Sequence, residues 1–353
     1  MGFEAQGQVA GEKGVTTATI SPLDSLPKRA RQRLAVLKAL GRDGYEEDLL
    51  KMVTGDEATL TAWGCPLTPE ERAQRNDLIF DLWLAGETTT AIAEKLHLQH
   101  PAIVKILRSV TAAKLEAWNI PEQPNVYNVW NYSSCDKRFG EPLPGHKAHP
   151  GRIPGQAVLN LLLRLTKPYG LVVDPMVGGG TTIDVCKYLL RRYRCFDIDP
   201  KRPDIKKWDI RQGYPHLPQK PDFIFLDPPY WRLKRDEYSG DGAAMGSYEE
   251  WLAFMKKLAR DSFKTVRAGG HVGLMVESFL DERETGRFLF LNRDCLGLFE
   301  SAGFEGIQEF AVNMPSQIKT NRDVEYARRK GIWLDLKREL FLFRRNASEK
   351  AEQ

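Results

Sequence analysis

A short apolar run, Phe223-Ile224-Phe225-Leu226, stops at Asp227-Pro228-Pro229-Tyr230. Proline fixes φ near about −65° and has no N–H to donate. It also drives the residue before it out of helical space. Two prolines in succession therefore end a buried strand abruptly and hold the next residues in a rigid, extended turn. In open α/β sheets the carboxyl edge of the strands is where ligands bind. There such a turn presents a carboxylate, a proline carbonyl and a flat ring to one planar substrate, and an exocyclic amine on a nucleobase suits those groups. Asp-Pro turns are common by themselves, so the upstream residues decide the reading.

Upstream, Gly170-Leu171-Val172-Val173-Asp174 reads as a second buried strand. It runs into Pro175-Met176-Val177-Gly178-Gly179-Gly180-Thr181-Thr182 and then a helix from Ile183 to Arg192. Consecutive glycines permit positive φ and close backbone approach, and Thr181 or Thr182 is a suitable helix cap. This is the form of a cofactor loop after the first strand of a doubly wound sheet. It lacks the Gly-x-Gly-x-x-Gly pattern, and no lysine follows the glycines as in a phosphate-binding P-loop. The next strand, Tyr193 to Asp197, places Asp197 to accept from ribose hydroxyls; a plain surface-turn aspartate is the competing reading. Asp209 is expected to close a third strand, where its carboxylate can accept an adenine amino hydrogen.

Composition bounds the rest. The 353-residue chain is 42% hydrophobic, enough for one large domain or two smaller ones. A formal net charge of +4 excludes a global polycation and leaves room for a local basic face. The five cysteines, Cys65, Cys135, Cys186, Cys195 and Cys295, form no Cys-x-x-Cys pair and are odd in number. That argues against a zinc site and a disulfide framework and for a reducing compartment, so no metal is expected. No signal-peptide core and no apolar stretch of about 18 residues is evident; the expectation is a cytoplasmic protein without a membrane partner. Residues 1–25 read as a disordered leader and 26–117 as helical. Residues 118–155 read as a linker rich in Pro, Gly and Asn, 156–345 as alternating helices and β-rich runs, and 346–353 as a tail. The alternation implies a parallel α/β sheet.

Within the helical part, Glu70–Leu84 is followed by Thr89–Leu96, a tight turn at Leu98-Gln99-His100, and a helix opened by Pro101. Helix, turn and second helix over about residues 67–113 resemble a helix-turn-helix, whose second helix lies in the major groove. Gln99, His100, Lys105 and Arg108 are the candidates to face DNA; a plain three-helix bundle is the alternative.

Jointly, Asp174-Pro175-x-x-Gly178-x-Gly180-Thr181-Thr182, Asp197, Asp209 and Asp227-Pro228-Pro229-Tyr230 resemble the S-adenosylmethionine-dependent DNA amino-methyltransferases, which make N6-methyladenine or N4-methylcytosine. The resemblance spans roughly residues 130–345, and His149-Pro150-Gly151-Arg152-Ile153-Pro154-Gly155-Gln156 resembles the family's His-Pro element. It implies an α/β fold, the Rossmann-like class I methyltransferase type with a seven-stranded sheet. Glu339–Phe343 is then the antiparallel strand, and an N-terminal all-α helix-turn-helix domain precedes the sheet. It implies S-adenosyl-L-methionine as cofactor, bound by His149, Asp174, Pro175, Gly178, Gly179, Gly180, Thr181, Thr182, Asp197 and Asp209. The implied catalytic set is Asp227, Pro228, Pro229 and Tyr230, acting on a base flipped out of double-stranded DNA. Trp231 extends the stacking wall or is a core aromatic, and Lys234 and Arg235 are placed for a nearby phosphate. The segment Pro315–Gly331, with Ser316, Gln317, Lys319, Arg322, Arg328, Arg329 and Lys330, reads as a DNA-facing loop or a solvated charged surface. The 53 residues from Asp174 to Asp227 leave room for two βα units only. The target-recognition insert that many relatives carry is missing at this point, which shifts DNA readout toward the helix-turn-helix.

The expected reaction is methyl transfer to a base amine, with adenine N6 favoured because Asp rather than Ser opens the motif. Cytosine N4 stays open. So do an RNA or protein amine or amide methyltransferase, a non-catalytic DNA-binding regulator on the same fold, and a restriction endonuclease as partner.

Overall fold

The computed structural model describes residues 26–118, 123–132, 153–231, 246–281, 286–313, 320–334 and 336–347. The expected leader, His149 to Arg152, Lys234, Arg235, Ser316, Gln317, Lys319 and the end of the tail lie outside them. Among the described residues no helix is long and apolar enough to cross a membrane.

The chain divides into two compact units. Of the described residues, one takes those up to Leu78 and Thr90–Val104; the other takes Ile79–Thr89 and those from Lys105. The first holds helices α1 (Lys28–Ala39), α2 (Glu46–Val53) and α3 (Glu57–Gly64). Leu26, Ala30, Leu34, Met52 and Trp63 form its small core. Trp63 Nε1 donates to Asp48, and Arg33 forks onto Glu71 at 2.9 and 3.0 Å. The division cuts through α4 (Pro69–Leu84), α5 (Thr89–Lys95) and α6 (His100–Glu116). It therefore differs from the boundary near residue 117 drawn from the sequence. The reason is aromatic packing: Phe80 and Leu84 join the core of the second unit, Trp83 lies 5.3 Å from Tyr169, and the Arg192 guanidinium sits 4.9 Å over the Trp83 ring.

The second unit is built on a sheet of eight strands among the described residues. These are β1 (Val129–Trp130), β2 (Leu171–Asp174), β3 (Arg192–Asp197), β4 (Lys206–Lys207), β5 (Phe223–Leu226), β6 (His271–Val276), β9 (Glu305–Asn313) and β10 (Lys337–Arg344). A separate hairpin is formed by β7 (Phe279–Asp281) and β8 (Arg287–Leu289). The order is β1-β9-β10-β6-β5-β2-β3-β4. β10 runs antiparallel to both β6 and β9, and the other pairs are parallel. This is the expected α/β sheet with its antiparallel strand, with eight strands among the described residues where seven were expected. The extra strand, β1, lies in what the sequence presented as linker. It is anchored by Trp130, 1% exposed and 4.4 Å from Phe310.

Apolar residues alternate between the two faces of each central strand, as the period of two requires. Val172, Phe223, Phe225, Leu340 and Leu342 pack in one core with α7 (Gly155–Leu165) and α8 (Thr181–Tyr188). Leu171, Val173, Ile224, Leu226, Phe341 and Phe343 pack in the other with α9 (Tyr248–Thr265) and α10 (Leu291–Ser301). Burial on both faces explains why these strands read as continuous apolar runs. Residues of the expected loop 315–331 instead form α11 (Asn321–Lys330), because Thr320 and Asp323 make a reciprocal capping box and Gly331 ends the helix in left-handed geometry.

Candidate active site at the strand ends

β2 pairs with β5 in parallel, Val173 facing Ile224. The chain leaves β2 toward β3 on one side and leaves β5 toward β6 on the other. The loops after β2 and β5 thus flank the point where strand order reverses, which is where doubly wound sheets bind ligands.

The loop after β2 is the glycine loop. Gly178 (φ 52°) and Gly180 (φ 88°) adopt left-handed conformations that other residues take at a cost. Gly180, not Thr181 or Thr182, occupies the N-cap of α8, without a side-chain cap. The Thr182 hydroxyl instead donates to Asp174 at 2.6 Å, and Met176 N–H donates to the same carboxyl at 3.1 Å. Asp174, 3% exposed, is thereby tied into the loop's own framework. Burial, opposed by those two hydrogen bonds, raises its pKa to about 7. Thr181 is also buried, in the first turn of the helix.

Asp197 closes β3 and reaches the loop, accepting from Gly178 N–H and Asp199 N–H, both at 2.9 Å. These use two of the roughly four acceptor positions of a carboxylate. Asp209 does not close a strand: β4 ends at Lys207, and Asp209 caps the 3-10 turn Ile210–Gln212. Both its oxygens accept from Arg211, at 2.8 to 3.0 Å. The Arg211 hydrogen bonds lower its pKa despite desolvation. Arg202, which sequence reasoning did not single out, clamps the loop. Its guanidinium donates to the Gly179 and Gly180 carbonyls at 3.3 and 3.4 Å and pairs with Asp184 and Asp204 at 2.9 and 2.7 Å. A Cβ on Gly180 would lie 2.5 Å from Arg202 Nη1.

After β5, Tyr230 folds back and its hydroxyl donates to Asp227 Oδ1. Its ring is buried, 4% exposed, with the Arg338 guanidinium 5.0 Å from the ring centroid. Burial raises the Tyr230 pKa well above its ordinary value, so the hydroxyl stays a donor. Arg338 Nη1 also lies 3.6 Å from Asp227 Oδ2, and its Nε donates to Glu277 at 3.1 Å. Trp251 Nε1 donates to the Pro229 carbonyl at 3.0 Å. Trp231 is buried, donates to the Gly246 carbonyl and packs 5.0 Å from Tyr248; this is the environment of a core aromatic. Glu277 and Arg338 give no sequence signal, since each reads as an ordinary charge at a strand end.

The structure therefore brings Asp174, the three glycines, Thr181, Thr182 and Asp197 together after β2 and β3, and Asp227 to Tyr230 together after β5. Gln99, His100, Lys105 and Arg108 are all exposed on and beside α6. Among the described residues no cluster of His, Cys, Asp or Glu could hold a metal ion.

Residues 101–207 match the DNA methylase family. The match contains the glycine loop and Asp197 and stops before Asp209 and Asp227. A curated relative, the type II methyltransferase M.HinfI of Haemophilus influenzae, is 32% identical over 90 residues, covering 25% of this chain and 25% of that protein. The chain thus matches about a quarter of that relative's length. Both matches bear out the resemblance to DNA amino-methyltransferases. Among solved structures, TrmN from Thermus thermophilus is similar at TM-score 0.37 and 17% identity, over 59% of this chain and 52% of that one. A methyltransferase from Pyrococcus furiosus is similar at TM-score 0.35 and 13% identity, over 60% of this chain and 97% of that one.

Two predictions concern the loop. Gly180→Ala combines a positive φ with the Arg202 clash and is expected to destabilise the protein by about 1–3 kcal/mol, read from the denaturant midpoint. Asp174 has a folded pKa of about 7 against an ordinary 3.8. Between those values the folded state holds a proton that the unfolded chain has lost, so stability falls as pH rises through the window, by at most about 1.4 kcal/mol per unit. Asp174→Asn does not titrate and is expected to flatten that slope in denaturant unfolding at pH 5, 6 and 7. An unchanged slope would remove Asp174 as its source.

Proposed function

We propose that this protein is an S-adenosylmethionine-dependent DNA methyltransferase that modifies the exocyclic amine of a flipped-out base, adenine N6 in preference to cytosine N4. The observation that carries the reading is the placement of Asp227, rigidly presented by Pro228 and Pro229, across the switch-point crevice from the glycine loop. S-adenosylmethionine, when bound, supplies an electrophilic methyl group. The residues present suit it: the left-handed backbone at Gly178 and Gly180 permits close approach. Asp197 keeps acceptor capacity for ribose hydroxyls after serving two backbone amides. Asp209 can serve the cofactor's adenine amine once Arg211 releases it.

A base amine is a poor nucleophile because its lone pair is delocalised into the ring. Asp227 accepts one N–H and the Pro228 carbonyl the other, which holds the nitrogen toward tetrahedral geometry and directs its lone pair. Asp227 then takes the released proton. The amine must first replace the Tyr230 hydroxyl on Asp227 Oδ1; the displaced ring is then available to stack on the base. Recognition of the duplex falls to the α5–α6 helix pair through Gln99, His100, Lys105 and Arg108, with Lys234 and Arg235 on nearby phosphate. The sequence preference for adenine rests on Asp, rather than Ser, at position 227.

The test is product analysis. Duplex DNA incubated with protein and cofactor, digested to nucleosides and examined by mass spectrometry is expected to yield N6-methyladenine. N4-methylcytosine would reassign the base, and modification of RNA or protein with DNA untouched would overturn the reading. Asp227→Ala is expected to lower the rate by more than about 100-fold with calorimetric cofactor affinity retained. Asp197→Ala is expected to weaken cofactor binding about tenfold, the loss of roughly one charge-assisted hydrogen bond; unchanged affinity removes Asp197 from the ribose role.

A further inference from the structure

Three neighbouring strand ends deliver one charged cluster. Leu226 faces Leu274 across the parallel β5–β6 pair, and Val276 faces Glu339 across the antiparallel β6–β10 pair. Asp227, Glu277 and Arg338 therefore extend the same sheet edge side by side. Arg338 and Glu277 are 2% and 4% exposed. Burying a guanidinium and a carboxylate is expensive, and a hydrophobic pair would serve stability as well. The pair is better explained by what it touches.

Arg338 uses each part of its planar group differently. Nε bonds Glu277 at 3.1 Å, Nη1 lies 3.6 Å from Asp227 Oδ2, and the flat face covers the Tyr230 ring at 5.0 Å. The 3.6 Å separation is too long for a hydrogen bond. It attracts the carboxylate without consuming the lone pairs that a substrate amine needs. Glu277 fixes the guanidinium so that it cannot collapse onto Asp227 and neutralise it by direct contact. A lysine could supply the charge but not the fork and the face together.

We propose that Arg338, held by Glu277, is the positioning residue of the Asp227–Tyr230 loop, setting the direction of the acceptor carboxylate and the resting place of the Tyr230 ring. This rests on the methyl-transfer reading above. Removing Arg338 alone would strand Glu277 as an unpaired buried charge, so the decisive variant is the double one, Arg338→Met with Glu277→Gln, alongside the conservative Arg338→Lys. Single-turnover methylation of duplex DNA is measured with melting temperature, cofactor affinity by calorimetry, and DNA affinity.

The double variant is expected to melt and to bind cofactor like the wild type. Its methylation rate at saturating DNA is expected to fall about 10- to 100-fold, and Arg338→Lys is expected to recover part of the loss. Wild-type rate in the folded double variant overturns the inference, as does a parallel loss of melting temperature, cofactor affinity and rate, which marks a merely structural pair. An inert wild type would instead sink the methyl-transfer reading itself, so the two failures are told apart by the first measurement.

Discussion

Strands β2 and β5 lie side by side, yet the chain leaves them in opposite directions, and every group in the candidate site depends on the gap this opens. A strand buried on both faces has no freedom in where its side chains point, so the first residue beyond it is delivered to a fixed place. Asp174, the last residue of β2, and Asp227, the first beyond β5, are both delivered in this way. The helices that follow them join opposite cores, α8 with Val172 and Phe225, α9 with Val173 and Leu226. The crevice is thus a consequence of topology, and the two loops only have to keep their shapes.

Each loop keeps its shape with a buried arginine. Arg202 spans Asp184 and Asp204 and holds the glycine loop by its own carbonyls. Arg338 spans Glu277 and Asp227 and holds the second loop by a ring and a carboxylate. For Arg338, burial opposes the charge, but the neighbouring Tyr230, Asp227 and Glu277 raise its pKa beyond the ordinary value. Such networks are weak devices for stability. They are strong devices for geometry, because a planar group with several fixed partners has one orientation that satisfies them all.

Much of this was legible in the sequence. The apolar runs ending in Asp174, Asp197 and Asp227 gave the parallel strands. What was not legible is contact made across long separations. Arg202 looks like one basic residue near Asp199-Pro200, and Arg338 like the charged start of a strand. Their roles exist only because Gly180 and Tyr230 are folded against them. Trp130 was hidden for a similar reason, since a two-residue strand carries no periodicity and depends on Phe310 for its place. Asp209 was misplaced because an aspartate at a strand end and one capping a short turn have the same local sequence signature.

Under the methyl-transfer reading, the hydrogen bond from Tyr230 to Asp227 ties the resting structure to selectivity. A carboxylate this close to the core needs a partner, and the buried hydroxyl, kept protonated, provides it. An amine bearing two hydrogens can take over that bond, so one hydrogen bond worth about 0.5–1.5 kcal/mol net replaces another. With two prolines fixing the backbone, the exchange is confined to the Tyr230 side chain. A base that presents a carbonyl oxygen at the same position cannot donate. It would place an acceptor against Asp227 and leave the carboxylate unsatisfied, a penalty larger than the gain from any single good contact. Under the methyl-transfer reading, the bond that closes the site at rest is therefore also the one that separates amino-bearing bases from oxo-bearing ones.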